Sequence, residues 1–208
     1  SRFKLEALKA EMNPHFIFNC LNSIKDFILK SDIENSQYYL AQLSKLIRIA
    51  LYNAKEEFIS LRNELEFVSL YVELEQLRFN HQFDFVYEVE NPTLLNAEIP
   101  TMILQPFFEN AIRHGKIGQL DYQGKLLLKI FEEKQRIVFQ ILDNGIGMEE
   151  SAKIKEQSHS THKSMALGII NERIKIYNQS YGLDIEMSIV TLENSEYKTM
   201  VEIKYILD

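Results

Sequence analysis

The first eighty residues contain one proline and no glycine, although the chain of 208 residues carries 7 Gly and 4 Pro in all. Those two residue types are the strongest local interrupters of regular structure, so this half must be built from long elements joined by polar turns. Apolar residues three and four apart make the elements helices. "SDIE", Ser31 to Glu34, has the form of a capping box and is expected to open a second helix. Before it, Phe16, Leu21, Ile24, Phe27 and Ile28 form one apolar stripe; after it, Tyr39, Leu40, Leu43, Leu46, Ile47, Ala50 and Leu51 form another. A short link between such helices implies an antiparallel hairpin. Ser60 caps a further helical run, "LRNELEFVSLYVELEQLRF". Two amphipathic helices bury too little alone, so this half is expected to dimerise into a four-helix bundle.

From residue 81 the texture changes. "FDFVYEV" alternates like a half-buried strand, with Phe83, Phe85 and Tyr87 on one face. Asn91-Pro92 marks a turn, and "TMILQPFFENAIRHG" reads as a helix ended by Gly115, with Pro106 bending it or marking its start. The strands "KLLLKIFEE" and "RIVFQILD" meet at a turn around Lys134 and Gln135. "GIINERIKIYNQSYG" is a helix closed by Gly182, and "LDIEMSIVTLE" and "TMVEIKYIL" are the last strands. The fold class is therefore α followed by α/β: helices over 1–80, then over 81–208 a sandwich of one mixed sheet under one helical layer. The polar stretch 149–166, "EESAKIKEQSHSTHKSMA", is long for a connection and reads as a lid or a disordered segment.

Composition excludes more than it assigns. A net charge of -7 argues against a nucleic-acid partner, which needs clustered Lys and Arg. Cys20 is the single cysteine, so no intrachain disulfide forms and a cytosolic compartment is favoured. No apolar run is long enough to span a membrane. "SRFKLEALKAEM" reads as helix without an N-terminal cap, so the chain is expected to be a piece of a longer one. The upstream part could include membrane helices.

Three short stretches carry chemistry, and each has a bland reading beside the sharp one. "DNGIGM", Asp143 to Met148, follows a strand; it is either a turn or a loop whose glycines admit a ligand and whose Asp accepts from an exocyclic amine. "ENAIRHG" places Asn110, Arg113 and His114 on one helix face. It is either a solvated helix end or a site pairing an amide oxygen for Mg²⁺ with cations for phosphate. "MNPHFIFNCLNS" holds His15, which its own residues leave as a core side chain, a ligand or a nucleophile. His159 and His162 lack a third ligand and read as solvated lid residues; His81 reads as an interdomain linker, and Cys20 as a buried small apolar side chain.

In combination the stretches resemble the Bergerat (GHKL) ATP-binding fold, with "ENAIRHG" as its N box, "DNGIGM" as its G1 box and "ALGIIN" as its G2 box. "MNPHFIFNCLNSI" ahead of such a domain, with "LEQLRF" at 74–79, resembles the LytS/YehU type of sensor histidine kinase. The resemblance implies ATP and Mg²⁺ as cofactors. Asn110 would hold the metal, Asp143 the adenine amine, and Gly145 and Gly147 would shape the pocket. Arg113, His114 and Asn171 would complete the nucleotide site, and Gly168 would approach phosphate at a helix N-terminus. Glu109 would be placed for proton work near the γ-phosphate. His15 would be the phosphoacceptor, with Asn19 on its face as a tentative helper; Phe16 stands where many histidine kinases have an acid. Ala166 replaces the first glycine of the usual G2 pattern. Implied too are a homodimer, a response-regulator receiver domain as partner, and the cytoplasmic part of a membrane sensor. Two alternatives stay open: a degenerate nucleotide-binding or dimerising scaffold, and a GHKL kinase acting on protein serine.

Overall fold

The computed structural model describes residues 14–147 and 162–206, with the main chain alone at 14–15 and 162–169. The chain divides into two compact units. One holds the helices up to His81 together with Glu98–Ile103; the other holds Gln82–Ala97 and everything from Leu104 onward. The chain passes from the first unit to the second after His81, and the later return of 98–103 to the helical unit is not visible in the sequence.

Helices α1 (Pro14–Leu29) and α2 (Ile33–Asn53) form the expected hairpin. The cap lies one residue later than the capping-box reading places it. Ser31 is in the left-handed region at φ 58°, and Asp32 caps α2 by accepting from the Asn35 N–H at 3.2 Å. An aspartate carboxylate there also meets the positive end of the helix dipole, which a serine cannot do as well. A three-residue strand β1 (Phe58–Ser60) follows. Helix α3 (Leu61–Arg78) starts at Ser60, whose hydroxyl accepts from Asn63 N–H at 3.3 Å.

Helix α3 is buried round most of its circumference: Leu61, Leu65, Phe67, Val68, Leu70, Tyr71, Val72 and Leu74 are all covered. Such a helix belongs to a core, so the hairpin closes onto α3 rather than standing alone. Phe16 packs on Tyr71 with ring centroids 4.9 Å apart, and Phe27 on Tyr39 at 5.9 Å. The stripes read from sequence split accordingly. Phe16, Tyr39, Leu43, Leu46 and Ala50 face this core, while Leu21, Ile28, Leu40 and Leu51 are exposed.

In the second unit, strands β2 (Phe83–Val89), β4 (Gly124–Glu133), β5 (Arg136–Asp143), β7 (Thr199–Ile206) and β6 (Glu186–Thr191) lie in that order. β2 runs parallel to β4 and the remaining pairs are antiparallel, giving the expected mixed sheet. Leu126, Leu128 and Ile130 of β4 and Ile137, Phe139 and Ile141 of β5 are buried, and so are Leu127 and Val138 between them, so the centre of the sheet is covered on both faces. Helix α4 (Gln105–Arg113) and helix α5 (His162–Tyr181) supply the covering layer, with Phe108 edge-on to Phe85 at 5.4 Å. The β4–β5 hairpin turns on Lys134 and Gln135 at φ 51° and 62°, the two left-handed residues that a two-residue loop of matching twist needs.

Three boundaries differ from the sequence reading. α4 begins at Gln105, because Thr101–Leu104 form a buried turn through Met102 at φ 54°. Pro106 therefore sits in its first turn, where the missing N–H costs nothing. Asn91 and Pro92 open a short 3₁₀ turn, Pro92–Asn96, which leads into strand β3 (Glu98–Pro100), paired with β1. α5 begins by His162, well before Gly168, since "KSMAL" contains good helix formers and no breaker. Of the expected lid, 149–161 lie outside the described residues, His159 among them, and 162–166 are helical.

Candidate nucleotide and phosphoacceptor sites

Helix α4 brings Glu109, Asn110 and Arg113 to its last turns. The Glu109 carboxylate accepts from Arg113 Nη1 at 2.7 Å across one helical turn. His114 caps the helix, and the N–H groups of His114 and Gly115 both donate to the Asn110 carbonyl, at 2.8 and 3.1 Å. The Asn110 side chain is half-buried, and its carboxamide makes no hydrogen bond among the described residues.

Where that helix stops, the end of β5 meets it. Asp143 is 7% exposed. Its Oδ1 accepts from Gly145 N–H at 2.9 Å, while Oδ2 takes no bond from the described residues. Burial raises this carboxyl to about 6, with the Gly145 amide and the Lys198 cation pulling the other way. An oxygen left open on a buried carboxylate is an acceptor awaiting a donor.

The glycines around it are required by close approach. The Ile146 N–H donates to the Gly115 carbonyl at 2.9 Å, locking the loop to the end of α4. A Cβ on Gly145 would lie 2.4 Å from that carbonyl oxygen and 2.8 Å from Gly115 Cα. Gly145 does not need positive φ; Gly147, at φ 80°, does.

Asn144 holds the loop from its other side. It is 7% exposed, and its carboxamide accepts from Lys125 N–H at 2.6 Å and donates to the Gln123 carbonyl at 3.1 Å. Tyr122 donates to the Asn144 carbonyl at 2.9 Å. Lys198 donates from Nζ to the Tyr122 oxygen at 3.2 Å and from its main chain to the Asp143 carbonyl at 2.8 Å. Gly115, Tyr122 and Lys198 were not legible as parts of this cradle, because nothing in their local sequence announces a contact with residue 143 or 144.

The remaining site residues lie elsewhere. Gly168 stands in the second turn of α5, so the expectation that it marks a helix N-terminus is corrected. Asn171, on the next turn, is exposed. His15 lies in the first turn of α1, in the helical unit. Phe16 beside it is 8% exposed and stacked on Tyr71, which explains why an acid is not found there: the position belongs to the core. Asn19 is half-buried, and its carbonyl accepts from Ser23 Oγ at 3.0 Å. His81, at φ 56°, donates its N–H to the Gln76 carbonyl at 2.7 Å where the helical unit ends.

The chain is similar to known proteins along most of its length. A family model described as histidine kinase matches residues 3–83. A sensor protein LytS of Oceanobacillus iheyensis is 35% identical over 177 residues, covering 82% of this chain and 30% of that protein. A sensor protein LytS of Bacillus anthracis is 32% identical over 191 residues, covering 89% of this chain and 32% of that protein. The chain thus spans about a third of the length of these relatives. A solved bacterial phosphotransferase superposes with a TM-score of 0.54 at 13% identity, covering 98% of this chain and 97% of that one. The fold is shared with it.

Proposed function

Because the chain belongs to the LytS type of sensor histidine kinase, we propose that it is the catalytic core of a two-component sensor. It moves the γ-phosphoryl group of ATP to His15 and then to an aspartate of a response regulator. The observation that carries this reading is the cradle of Asp143, Gly145 and Gly115, a buried carboxylate with one oxygen open, set against the helix that bears Asn110.

In this reading the open Asp143 oxygen accepts from the adenine amine, and Gly145 and Gly147 admit the base. Asn110 fits Mg²⁺: its carboxamide oxygen is a hard donor and is unengaged among the described residues. Those residues hold no cluster of three or more His, Cys, Asp or Glu that would compete for a metal. Mg²⁺ supplies charge neutralisation on the phosphates. Arg113 and His114 stand at the same helix end for phosphate oxygens, and Gly168 and Asn171 of α5 would complete the nucleotide site, as the resemblance implies. Glu109, ion-paired with Arg113, would serve for proton work near the γ-phosphate, as the resemblance implies.

A neutral imidazole offers one nucleophilic nitrogen. That nitrogen forms a bond to the γ-phosphorus as the bond to the β,γ-bridging oxygen breaks, and ADP leaves with the electron pair. The imidazole N–H proton passes to Glu109 or water. The resulting phosphoramidate is then attacked by the regulator's carboxylate; the P–N bond breaks with its electron pair going to the ring, which takes back one proton from water and returns to neutral imidazole.

We further read the helical unit as the dimerisation and phosphotransfer part, 1–80, and 81–208 as the ATP-binding part. Phe18, Leu21, Ile28 and Leu29 stand exposed on one face of α1, and Ile33, Leu40 and Leu51 on one face of α2. Such spacing suits a four-helix bundle between two copies. Among the described residues no helix is long and apolar enough to cross a membrane. The membrane anchor of the whole sensor would lie in the part of its relatives that this chain does not span.

Incubation with γ-labelled ATP and Mg²⁺ tests the proposal. Acid-labile, base-stable label is expected on the wild type and none on His15→Ala or Asn110→Ala. His15→Ala should bind nucleotide with unchanged affinity. Label surviving in His15→Ala would remove His15 from the mechanism.

A further inference from the structure

Leu126 and Asp143 close the β4–β5 ladder at the nucleotide site, and Lys125 and Asn144 stand next in register. Two residues so placed in an antiparallel pair can exchange N–H···O bonds through both main chains. Here the main chain makes only half of that exchange: the Asn144 N–H donates to the Lys125 carbonyl at 3.2 Å. The Lys125 N–H donates instead to the Asn144 side chain, at Oδ1, 2.6 Å away. The other end of that carboxamide, Nδ2, donates to the Gln123 carbonyl at 3.1 Å. The Asn144 carbonyl is thereby released from the ladder and accepts from the Tyr122 hydroxyl at 2.9 Å. A single residue, 7% exposed, is thus tied four times to 122–125.

A main-chain carbonyl kept in the ladder would make residue 144 one more residue of β5 and carry Gly145 straight on. With a carboxamide in its place the chain turns away from the sheet, and the Lys125 N–H stays paired. That turn delivers the next two N–H groups. The Gly145 N–H donates to Asp143 Oδ1 at 2.9 Å, which fixes the carboxylate and leaves Oδ2 open. The Ile146 N–H reaches the Gly115 carbonyl at 2.9 Å. Space there is tight, since a Cβ on Gly145 would lie 2.4 Å from the same carbonyl oxygen, so the loop has little freedom to settle elsewhere. Only an amide of this length both accepts from Lys125 and donates to Gln123; a carboxylate offers no donor, and an apolar side chain offers neither.

We propose that Asn144 is a positioning residue for base recognition: by standing in for a ladder carbonyl it sets the direction of the Asp143 carboxylate, and so the preference for a base that bears an exocyclic amine. The inference rests on the nucleotide-binding reading of Asp143, and every residue it uses lies in the second unit. It makes the middle residue of "DNG" the one on which base selectivity depends, although its own side chain is spent on the main chain of 123–125.

The test is calorimetric titration of the 208-residue chain with the Mg²⁺ complexes of ADP and of inosine diphosphate, which bears an oxygen where adenine bears its amine, with a thermal melt of each variant. Wild type should prefer ADP by about tenfold or more. Asn144→Ala should bind ADP more weakly and prefer it by no more than about threefold, because the amine then meets a carboxylate of unfixed direction. A folded Asn144→Ala protein that keeps the wild-type preference overturns the proposal, whether its affinities are unchanged or fall together, since a purely structural role weakens both ligands alike. If Asn144→Ala does not fold, or binds neither ligand measurably, Tyr122→Phe decides. It removes only the hydroxyl at the Asn144 carbonyl, from a side chain that is 40% exposed. Its preference for ADP should fall about threefold, as loss of one neutral hydrogen bond allows, and an unchanged preference overturns the proposal. A wild-type chain that binds both ligands equally, or neither, is a separate outcome: it removes the reading of Asp143 itself, and this inference with it.

Discussion

Asp143 carries two opposed demands. As the last residue of β5 it is buried, which disfavours its charge, yet an amine donor needs an ionised or at least open acceptor there. Its carboxyl is raised from 3.8 to about 6 by that burial. The folded chain therefore holds this proton more tightly than the unfolded chain between those two values, and stability falls as pH rises across that window. Above the window the penalty is complete, at about 3 kcal/mol or less. Asp143→Asn should accordingly be more stable than wild type at pH 7, and the gap should close as pH falls to 4, as urea titrations at several pH values would record. Nucleotide affinity of the wild type should rise with pH through about 6 as the acceptor ionises. The two glycines of the same loop separate by mechanism. Gly145→Ala drives a Cβ into the Gly115 main chain and should cost about 2 kcal/mol and most of the nucleotide affinity. Among the described residues Gly147→Ala meets only the Lys198 Cδ at 4.0 Å, so its expected cost is that of the left-handed backbone, about 1 kcal/mol. Thermal melts with nucleotide titrations distinguish the pair.

At the scale of elements, the end of α3 shows why "LEQLRF" reads as it does. Glu75 is 1% exposed and ion-paired with Arg78, whose guanidinium also lies 4.0 Å over the Phe79 ring. Cys20 and Tyr39 share that region, and burial raises both, the thiol to about 11, so Cys20 is an unreactive packing residue. Arg78→Ala leaves a buried carboxylate without its cation and should destabilise the chain by about 3–5 kcal/mol in urea unfolding. Element type was legible wherever periodicity and punctuation agreed. The hairpin at Lys134, the Ser60 cap and the Gly182 stop, at φ 68°, are local events encoded in local sequence. What escaped was non-local. Strands β1 and β3 are three residues each and pair across a separation that no periodicity reveals. Glu64 looks like one more polar residue in a helix until Met102 is brought to it. The Asp143 loop was legible as a motif, but its dependence on Gly115 was not, because that contact is made only when β5 and α4 are both in place.

For the molecule as a whole, the helical unit presents a contrast between its filled interior and what it leaves uncovered. Cys20, Tyr39, Leu43, Leu46, Val68 and Leu74 fill the inside, whereas Phe18 and Leu29 are 66% and 71% exposed and Leu40 and Leu51 about half exposed. Ile33, Leu40, Ile47 and Leu51 repeat at intervals of seven, seven and four residues on α2, the pattern of a helix that meets another helix along its length. Side chains of this size held in water give up about 1.5–3 kcal/mol each relative to burial, so a face carrying several of them favours association strongly. The cradle around Asp143, in contrast, is assembled from residues of the second unit of one chain. Association and nucleotide binding should therefore separate. Leu40→Glu combined with Leu51→Glu places two charges on the α2 seam without touching the packed face. Wild type should sediment as a dimer and the doubly substituted chain as a monomer, with nucleotide Kd within about twofold of wild type. A substituted chain that stays dimeric would move the seam to the α1 face. One that becomes monomeric and loses nucleotide would instead show that the cradle needs the second copy.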